Sequence, residues 1–322
     1  MMLGITELTY TALISFLIVV ILGPIFIPML TKFKFGQTVR DDGPKTHLAK
    51  NGTPTMGGIL MMVAILITGL TRSKISNDMV VGLISIVGFG LVGFLDDFII
   101  IKMRRSLGLK PWQKIVLQFA LAIYISYYQY TTSPSATQLM IPFTDAVINL
   151  GVLYIPIMTF IIIGIVNAVN LTDGLDGLAS GVTLIVATFF MLFAGTVAIN
   201  TDVAVLAAAT VGACLGFLGF NSYPAKIFMG DTGSMALGGA VVAFSVLTNS
   251  ILIIPLVGGI YFAEAISVIL QVASFKIRKK RIFKMAPIHH HFEQCGWPET
   301  RVVFVFWIIT VVLAWISIIA VF

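Results

Sequence analysis

Long apolar runs alternate with short polar segments along the whole chain. A helix needs about 20 apolar residues to cross the hydrocarbon core of a bilayer. This length predicts ten helices, at 10–30, 55–71, 79–100, 113–129, 147–168, 177–195, 201–219, 233–249, 251–275 and 301–321. The pattern therefore predicts an all-α, polytopic integral membrane protein with about ten transmembrane helices, forming a single domain over residues 1–322.

The composition excludes a soluble enzyme. Hydrophobic residues make up 58% of the 322 residues and charged residues 11%, whereas a soluble domain carries about 25% charged residues. Cys214 and Cys295 give no disulfide pattern and no cysteine metal motif. The first apolar run lacks a preceding basic segment and a small-residue cleavage site, so we expect a retained helix.

Basic residues fall mainly in alternate connections between the predicted helices. The connections that hold 17 of the 20 lysines and arginines are 31–53, 101–114, 220–232 and 276–300. Positively charged connections stay in the cytoplasm, so we expect these four inside and both termini on the extracytoplasmic side. The connection 130–146 is then expected to be a polar outer loop.

A polar turn of unusual composition joins the fifth and sixth predicted helices. It contains Asn167, Asn170, Asp173 and Asp176, and a glycine follows each aspartate. Glycine lets the backbone approach a polar ligand closely, and the carboxylates can bind a metal ion or sugar hydroxyls. By itself the turn fits equally well a tight helical hairpin in which an aspartate caps the next helix.

Further aspartates are predicted at the same face of the membrane. Asp96 and Asp97 end the third helix, and Asp231 lies in the turn between the seventh and eighth. A carboxylate costs about 2.5–3.5 kcal/mol at the bilayer centre and less near the interface. Five aspartates at one depth, among lysines and arginines, therefore favour a functional site over unrelated turns.

The adjacent pair Asp96 and Asp97 indicates a bound cation. Neighbouring carboxylates repel each other, and one tends to stay protonated unless a cation compensates. Mg²⁺ is the natural compensator, because it takes oxygen ligands and keeps waters that substrate phosphates can replace. The simpler alternative is an acidic pair at the membrane edge, balanced by Arg104 or Arg105.

Two aromatic features have two interpretations each. The triplet His289, His290 and His291 is a weak zinc signal, because adjacent side chains point apart and no cysteine supports it. Either these histidines are solvated, or at least one donates a hydrogen bond to a phosphate or carbonyl. Phe228, near Asp231, either stacks on a base or anchors the end of a helix.

The remaining charged residues are also open to two readings. Lys50, Lys114 and the basic run 276–284 either contact anionic lipid or attract phosphate groups. Glu264 lies inside the ninth apolar run, near Pro255 and two glycines. It indicates a bent helix beside a groove for a lipid headgroup, or a structural hydrogen-bond partner.

The residues alone thus predict an intramembrane enzyme whose carboxylate cluster binds Mg²⁺ among phosphate-attracting cations. Such a site suits phosphoryl transfer between a soluble and a lipid substrate, where catalysis is mainly positioning and charge neutralisation.

Several segments resemble one enzyme family. They are Phe35–Gln37, Gly52–Gly58, Asp96–Asp97, Asn167–Gly177, Phe228–Ser234 and Pro287–Phe292. In order and spacing they are similar to the phospho-N-acetylmuramoyl-pentapeptide transferases, a branch of the polyprenyl-phosphate N-acetylhexosamine-1-phosphate transferases. The resemblance covers nearly the whole chain. The block with three histidines is typical of this branch, whereas the acidic motifs are shared across the larger group.

The resemblance implies a homodimer in the bacterial inner membrane with its active site on the cytoplasmic face. The implied reaction is Mg²⁺-dependent transfer of phospho-MurNAc-pentapeptide from UDP-MurNAc-pentapeptide to undecaprenyl phosphate, giving lipid I and UMP. No nucleic-acid partner is implied. The ninth helix would bend and form a groove for the prenyl chain.

The resemblance also implies roles for individual residues. Asp231 would be the principal Mg²⁺ ligand, with Asp96 and Asp97 beside the ion, Asp97 as a further ligand, and one of these two able to deprotonate the lipid phosphate. The uridine and sugar end of the pocket would be formed by Lys50, Asn170, Asp173, Gly174, Leu175, Asp176, Asn221 and Phe228. The path of the diphosphate would be lined by Lys114, Gln271 and one or more of His289, His290 and His291, with His290 among them.

Three alternatives remain at this stage. A related transferase would use UDP-GlcNAc and transfer GlcNAc-1-phosphate. An intramembrane aspartyl protease is suggested by Asp231-Thr-Gly-Ser, but the sequence has no second such motif. A transporter would place its acidic residues near the bilayer midplane in repeated halves, whereas here only Glu264 is predicted to lie deep.

Overall fold

Helices make up most of the described part of the chain. The computed structural model describes residues 4–32, 50, 52–103, 108–133, 135–144 and 146–321. The helices are α1 Ile5–Lys32, α2 Gly58–Arg72, α3 Asn77–Met103, α4 Pro111–Thr132, α5 Tyr154–Thr172, α6 Leu178–Thr196, α7 Thr201–Asn221, α8 Gly230–Leu247, α9 Ile254–Val257, α10 Gly259–Arg278, α11 Ile288–Gln294 and α12 Glu299–Val321. Predicted features that lie outside the described residues are Phe35–Gln37, Lys34, Arg40, Lys45, Arg104 and Arg105.

Many of these helices can cross a bilayer. Within the described ranges, eight are long and apolar enough: α1, α3, α5 with the 3-10 turn before it, α6, α7, α8, α10 and α12. Helix α2 is shorter, at 15 residues, and the 22 residues of α4 include several tyrosines and glutamines. The all-α polytopic membrane class is confirmed. The number of crossings and the side of the termini stay predictions.

The predicted outer loop contains a small antiparallel sheet. Strand β1 (Gln138–Met140) pairs with β2 (Val147–Asn149), with Leu139 opposite Ile148. A start of the fifth helix at residue 147 is therefore wrong, because this apolar stretch pairs as a strand, which suits β-branched residues. Helix α5 also continues past the predicted end at 168, and Asn170 lies on its last turn.

The ninth predicted helix is interrupted where its Pro and Gly residues stand. A 3-10 turn (Ile251–Ile253) leads into the short helix α9, which ends at Gly258, and α10 begins at Gly259. Gly258 has φ −97° and ψ 29°, outside helical geometry. The interruption lies between Pro255 and Glu264 in the chain.

Helix α8 is the centre of the bundle. In its apolar window 89% of the residues are buried, compared with 22% in α1 and 28% in α10. Its neighbours approach closely through glycines: a Cβ on Gly93 would lie 2.1 Å from the Asp231 carbonyl oxygen, and one on Gly58 would lie 2.1 Å from Gly233 Cα. This close packing places the end of α3 directly against the start of α8.

Candidate active site

Asp97 on α3 binds the first turn of α8. Its Oδ2 accepts hydrogen bonds from the Thr232 N–H at 2.9 Å and the Thr232 hydroxyl at 2.7 Å, and Oδ1 accepts from the Asp231 N–H at 3.2 Å. The first N–H groups of a helix lack partners within the helix and carry partial positive charge. A buried carboxylate is therefore stabilised here, and Asp97 fixes the position at which Asp231 enters α8.

Asp231 is held by two further helices. Its Oδ2 forms an ion pair with Lys114 Nζ of α4, and its Oδ1 accepts a hydrogen bond from Asn170 Nδ2 of α5 at 2.9 Å. Asn170 also donates to the Ser234 hydroxyl, one turn further along α8, at 2.8 Å. The Asp231 side chain keeps 30% of its surface exposed, so it is the carboxylate that can reach a ligand.

Helices α4 and α5 are fixed to each other just behind these contacts. Asn167 Nδ2 donates to Gln118 Oε1 at 2.7 Å. Gln118 lies one turn after Lys114 on α4, and Asn167 lies one turn before Asn170 on α5. This amide pair therefore sets the spacing between the two side chains that hold Asp231.

Asp96 completes what we call the acidic cluster: Asp96, Asp97 and Asp231. The carboxylate of Asp96 lies beside that of Asp231, and its Oδ1 accepts a hydrogen bond from the Leu109 N–H at 2.8 Å. The segment before α4 closes over it, since a Cβ on Gly108 would lie 2.6 Å from Asp96 Cγ. Residues far apart in sequence thus converge as the pattern of acidic turns predicts.

The polar turn between α5 and α6 faces the same cluster. Burial, together with the nearby carboxylates of Asp231, Asp97 and Asp176, holds the pKa of Asp173 well above its ordinary value. Leu175 is buried. Gly174 has no side chain because the His289 ring occupies that space: a Cβ on Gly174 would lie 2.1 Å from His289 Nε2.

Asp176 is used to join three segments. Its Oδ1 accepts from Lys50 Nζ at 2.6 Å, and its Oδ2 accepts from the Ala225 N–H at 3.0 Å. Glu299 Oε1 accepts from the same Lys50 Nζ at 2.6 Å and from the Asp176 N–H at 2.7 Å. Sequence reasoning missed Glu299. The only signal was an acidic residue after Pro298 at a helix start, which indicates capping.

Asn221 and Phe228 connect the turn to the segment before α8. Buried Asn221 accepts from the Gly177 N–H at 3.1 Å and donates to the Ile227 carbonyl at 2.9 Å. The Phe228 N–H donates to the Pro54 carbonyl, and the Phe228 carbonyl accepts from the Gly57 N–H at 2.9 Å. The motifs Gly52–Gly58 and Phe228–Ser234 therefore pair directly. Phe228 is half-buried and lies two residues before α8.

The three histidines have different surroundings. His289 is buried between Gly174 and Glu264 of α10, with its Nδ1 3.0 Å from Glu264 Oε1. His290 Nδ1 lies 2.7 Å from Glu293 Oε2. His291 Nδ1 accepts from the Lys284 N–H at 3.1 Å. His289 thus lies against the 173–176 turn, with Glu264 as its partner.

The hydrogen bonds of the Gln271 side chain go to the loop after α10 and not to the acidic cluster. Its Oε1 accepts from the Ile282 and Phe283 N–H groups, each at 3.0 Å, and its Nε2 donates to the Phe283 carbonyl at 2.9 Å. The side chain thus folds the loop after α10 back onto that helix. A contact between Gln271 and a diphosphate stays a prediction.

The acidic cluster fits Mg²⁺ in chemistry, although its residues are not equally suited. Among the residues that the structure describes, no group of three or more His, Cys, Asp or Glu side chains is arranged to hold a metal ion. Mg²⁺, however, typically takes one or two carboxylates and completes its shell with water and phosphate oxygens. A carboxylate has about four acceptor positions. Asp97 is buried and already accepts three hydrogen bonds from the start of α8, whereas the side chain of Asp231 is 30% exposed, so Asp231 is the better ligand.

Comparison with known proteins agrees with this arrangement. The family described as "Glycosyl transferase family 4" matches residues 79–249, which is just over half of the chain. Signature 1 of phospho-N-acetylmuramoyl-pentapeptide-transferase matches residues 50–60. These matches, the membrane helices and the acidic cluster define an integral membrane glycosyl transferase.

Relatives over the full length define the branch. A phospho-N-acetylmuramoyl-pentapeptide-transferase of Clostridioides difficile is 82% identical over 322 residues, covering 100% of both chains. Enzymes of the same name from Alkaliphilus metalliredigens and Alkaliphilus oremlandii are each 52% identical, with 98% and 97% of both chains covered. The chain belongs to the phospho-N-acetylmuramoyl-pentapeptide transferase family.

Proposed function

We propose that this protein transfers phospho-MurNAc-pentapeptide from UDP-MurNAc-pentapeptide to undecaprenyl phosphate, giving lipid I and UMP at the cytoplasmic face of the bacterial inner membrane. The observation that carries this proposal is the convergence on Asp231 of Lys114 from α4, Asn170 from α5 and the Asp97-bound start of α8. A transferase acting between a nucleotide sugar and a phosphorylated lipid needs such a charged site beside the bilayer.

In the net reaction an oxygen of the lipid phosphate forms a bond to the phosphorus that carries MurNAc. The bond from that phosphorus to the oxygen that bridges the two phosphates of the donor breaks, and UMP leaves with the electron pair. Mg²⁺ bound at Asp231 would neutralise the negative charge of the diphosphate and of the departing UMP. Lys114 supplies a positive charge at the same carboxylate and attracts phosphate oxygens.

Asp96 and Asp97 differ in the roles they can take. Asp97 has its oxygens engaged by the first turn of α8, so its main task is to hold Asp231 in place. Asp96 has one oxygen bonded to the Leu109 N–H, and its carboxyl group shares a hydrogen bond with Asp231. A cation at Asp231 would displace the shared proton and leave Asp96 as a carboxylate. We therefore assign to Asp96 the removal of the proton from the lipid phosphate, whose second pKa is near 6 for a phosphate monoester.

The nucleotide would bind at the other end of the site. Lys50 and Asp176 are joined by an ion pair, Asn221 holds the turn against the segment before α8, and Phe228 offers a ring on which a base can stack. Asp173 and Gly174 lie between this end and the acidic cluster. The sugar and diphosphate would then span the distance from Phe228 to Asp231.

The lipid substrate would approach along α10. Only 28% of its apolar window is buried, and its exposed side chains include Phe262, Ile266 and Ile269. A prenyl chain packed on this face would bring its phosphate towards the cytoplasmic end of the helix. We also propose a homodimer, as the resemblance implies.

A reconstitution assay tests the proposed function. Purified protein in vesicles would receive labelled UDP-MurNAc-pentapeptide, undecaprenyl phosphate and Mg²⁺, and lipid I and UMP would be measured together. We expect equimolar products, and none after chelation until Mg²⁺ is restored. UDP-GlcNAc would be offered in competition. Labelled product from UDP-GlcNAc alone, or turnover that survives chelation, would contradict the proposal.

A further inference from the structure

Glu299 links the two ends of the chain at the proposed nucleotide pocket. It is the first residue of α12, and its Oε1 accepts two hydrogen bonds, from Lys50 Nζ at 2.6 Å and from the Asp176 backbone N–H at 2.7 Å. The side chain of Glu299 is 9% exposed, that of Lys50 is 15% exposed and that of Asp176 is 3% exposed. The three charges therefore meet largely out of water, where such contacts are strong and directional.

The network leaves little freedom to Lys50 and to the turn. Lys50 is held from two sides by carboxylates, while Asp176 is fixed through its backbone by Glu299 and through its Oδ2 by the Ala225 N–H. Among the described residues, removing Glu299 would leave Lys50 with Asp176 as its carboxylate partner, and the Asp176 N–H would lose its acceptor. Lys50 and the turn that holds Asp176 could then move together.

A simpler role for Glu299 would be to stabilise the start of its own helix, as an acidic residue in the first turn does. The geometry differs from that role, because the two donors to Oε1 belong to Lys50 and Asp176 and not to α12. Among the described residues, these contacts lead to the nucleotide end of the pocket and not to Asp231.

We propose that Glu299 is a positioning residue for the nucleotide, acting through Lys50 and the Asp173–Asp176 turn. This inference rests on the proposed function for the identity of the donor. It assigns to Glu299 an effect on binding of the uridine nucleotide, and none on the chemistry at the acidic cluster.

Glu299→Ala and Glu299→Gln test this assignment, with Glu7→Ala as the matched control. Glu7 is also an ion-paired glutamate in the first turn of a helix, but its partner is Arg72. In the reconstituted transferase, Glu299→Ala should raise the KM for the donor about tenfold or more and leave kcat within roughly threefold. The KM for undecaprenyl phosphate should stay unchanged. Glu299→Gln should show a smaller effect, because its amide oxygen can still accept both hydrogen bonds.

Calorimetric binding of UMP gives a second readout that does not depend on turnover. UMP should bind to Glu299→Ala about tenfold more weakly than to the wild type and to Glu7→Ala, measured at a temperature at which thermal unfolding shows all three proteins to be folded. If Glu299→Ala does not fold, the same comparison is made with Glu299→Gln. Unchanged UMP affinity, or a loss confined to kcat, would overturn the role of Glu299.

The two proposals can fail separately. A wild-type protein that binds UMP but makes no lipid I would overturn the proposed function, and the UMP measurements would still decide the role of Glu299. Lipid I synthesis with an unchanged donor KM in Glu299→Ala would overturn the inference alone. A wild-type protein that binds no UMP would overturn both.

Discussion

The carboxylate of Asp97 accepts a hydrogen bond from the backbone N–H of Asp231, 134 positions further along the chain. One residue of the acidic cluster thus holds the backbone of another, and α3 fixes the start of α8. Asp97 contributes to the fold and to the site at once, whereas the side chain of Asp231 is 30% exposed and can contact a ligand. The two residues should therefore respond differently to the same substitution.

Asp97→Asn should impair both stability and activity. Asparagine has one acceptor oxygen where aspartate has two, so its amide nitrogen would face either the Asp231 N–H or the donors of Thr232. Unpaired buried donors cost about 1–3 kcal/mol each. We expect a clear fall in the midpoint of thermal unfolding together with loss of lipid I synthesis.

Asp231→Asn should impair activity alone. Its loss removes charge at the proposed metal, which we expect to reduce kcat on the order of 100-fold or more, while the unfolding midpoint stays close to that of the wild type. Equal destabilisation of the two variants would show that the division of roles between Asp97 and Asp231 is wrong.

Lys114→Gln should lower both the activity and the Mg²⁺ concentration that the enzyme requires. The Lys114 ammonium forms an ion pair with Asp231 Oδ2, so it competes with a metal ion for that oxygen while it attracts phosphate. Without it, kcat/KM should fall about 10- to 100-fold, yet the Mg²⁺ concentration that gives half-maximal rate should fall too. Lys110→Gln, in the same segment, serves as the control. A higher Mg²⁺ requirement in Lys114→Gln would contradict this account.

Gly174→Ala tests the contact between the polar turn and His289. A methyl group at this position would lie 2.1 Å from His289 Nε2, and His289 is confined on its other side by Glu264. The ring or the turn must move, and a displacement of about 1 Å can cost roughly 100-fold in rate. Steady-state rates of lipid I formation would show the loss.

Gly164→Ala provides the matched control for this substitution. A Cβ on Gly164 of α5 would meet nothing within 4 Å, and alanine suits a helix better than glycine. Its activity should equal that of the wild type. Similar rates for the Gly164 and Gly174 variants would show that His289 and the turn do not need their present spacing.

Glu264→Gln should lower activity by removing the charge that faces His289. The glutamine is similar in shape, so packing in the buried part of α10 is retained, but the carboxylate beside the His289 ring is replaced by a neutral amide. We expect kcat to fall about tenfold. Glu293→Gln, which alters the contact of the neighbouring His290 instead, should reduce kcat less. An unchanged kcat in Glu264→Gln would exclude a role for the contact between Glu264 and His289.

The positions of the helices could be predicted from the sequence because the bilayer leaves few alternatives. A backbone in hydrocarbon must satisfy its own hydrogen bonds, so long apolar runs become helices. The convergence of Asp96, Asp97 and Asp231 could also be predicted, because successive connections between membrane helices lie on alternate sides of the bilayer and these three residues were assigned to the same side. The strand at Val147–Asn149 was missed because an apolar run beside a membrane helix looks like part of it.

The partners of individual side chains could not be predicted. Lys50 and Glu299 are 249 positions apart, and no periodicity relates them. The sequence leaves two interpretations of Glu264, and the contact of its carboxylate with His289 is visible only in the structure. Gln271 was assigned a place on the diphosphate path through the resemblance, whereas its amide binds the loop at 282–283. These contacts depend on how helices pack, which the apolar pattern leaves undetermined.

The central claim is that Asp231 binds a divalent metal ion in a site assembled by α3, α4, α5 and α8. The most direct measurement is Mn²⁺ binding to the purified protein, followed by electron paramagnetic resonance without any substrate. The account predicts one Mn²⁺ per chain, displaced by Mg²⁺, absent in Asp231→Asn and retained in Asp78→Asn at the other end of α3. Undiminished Mn²⁺ binding in Asp231→Asn would contradict it.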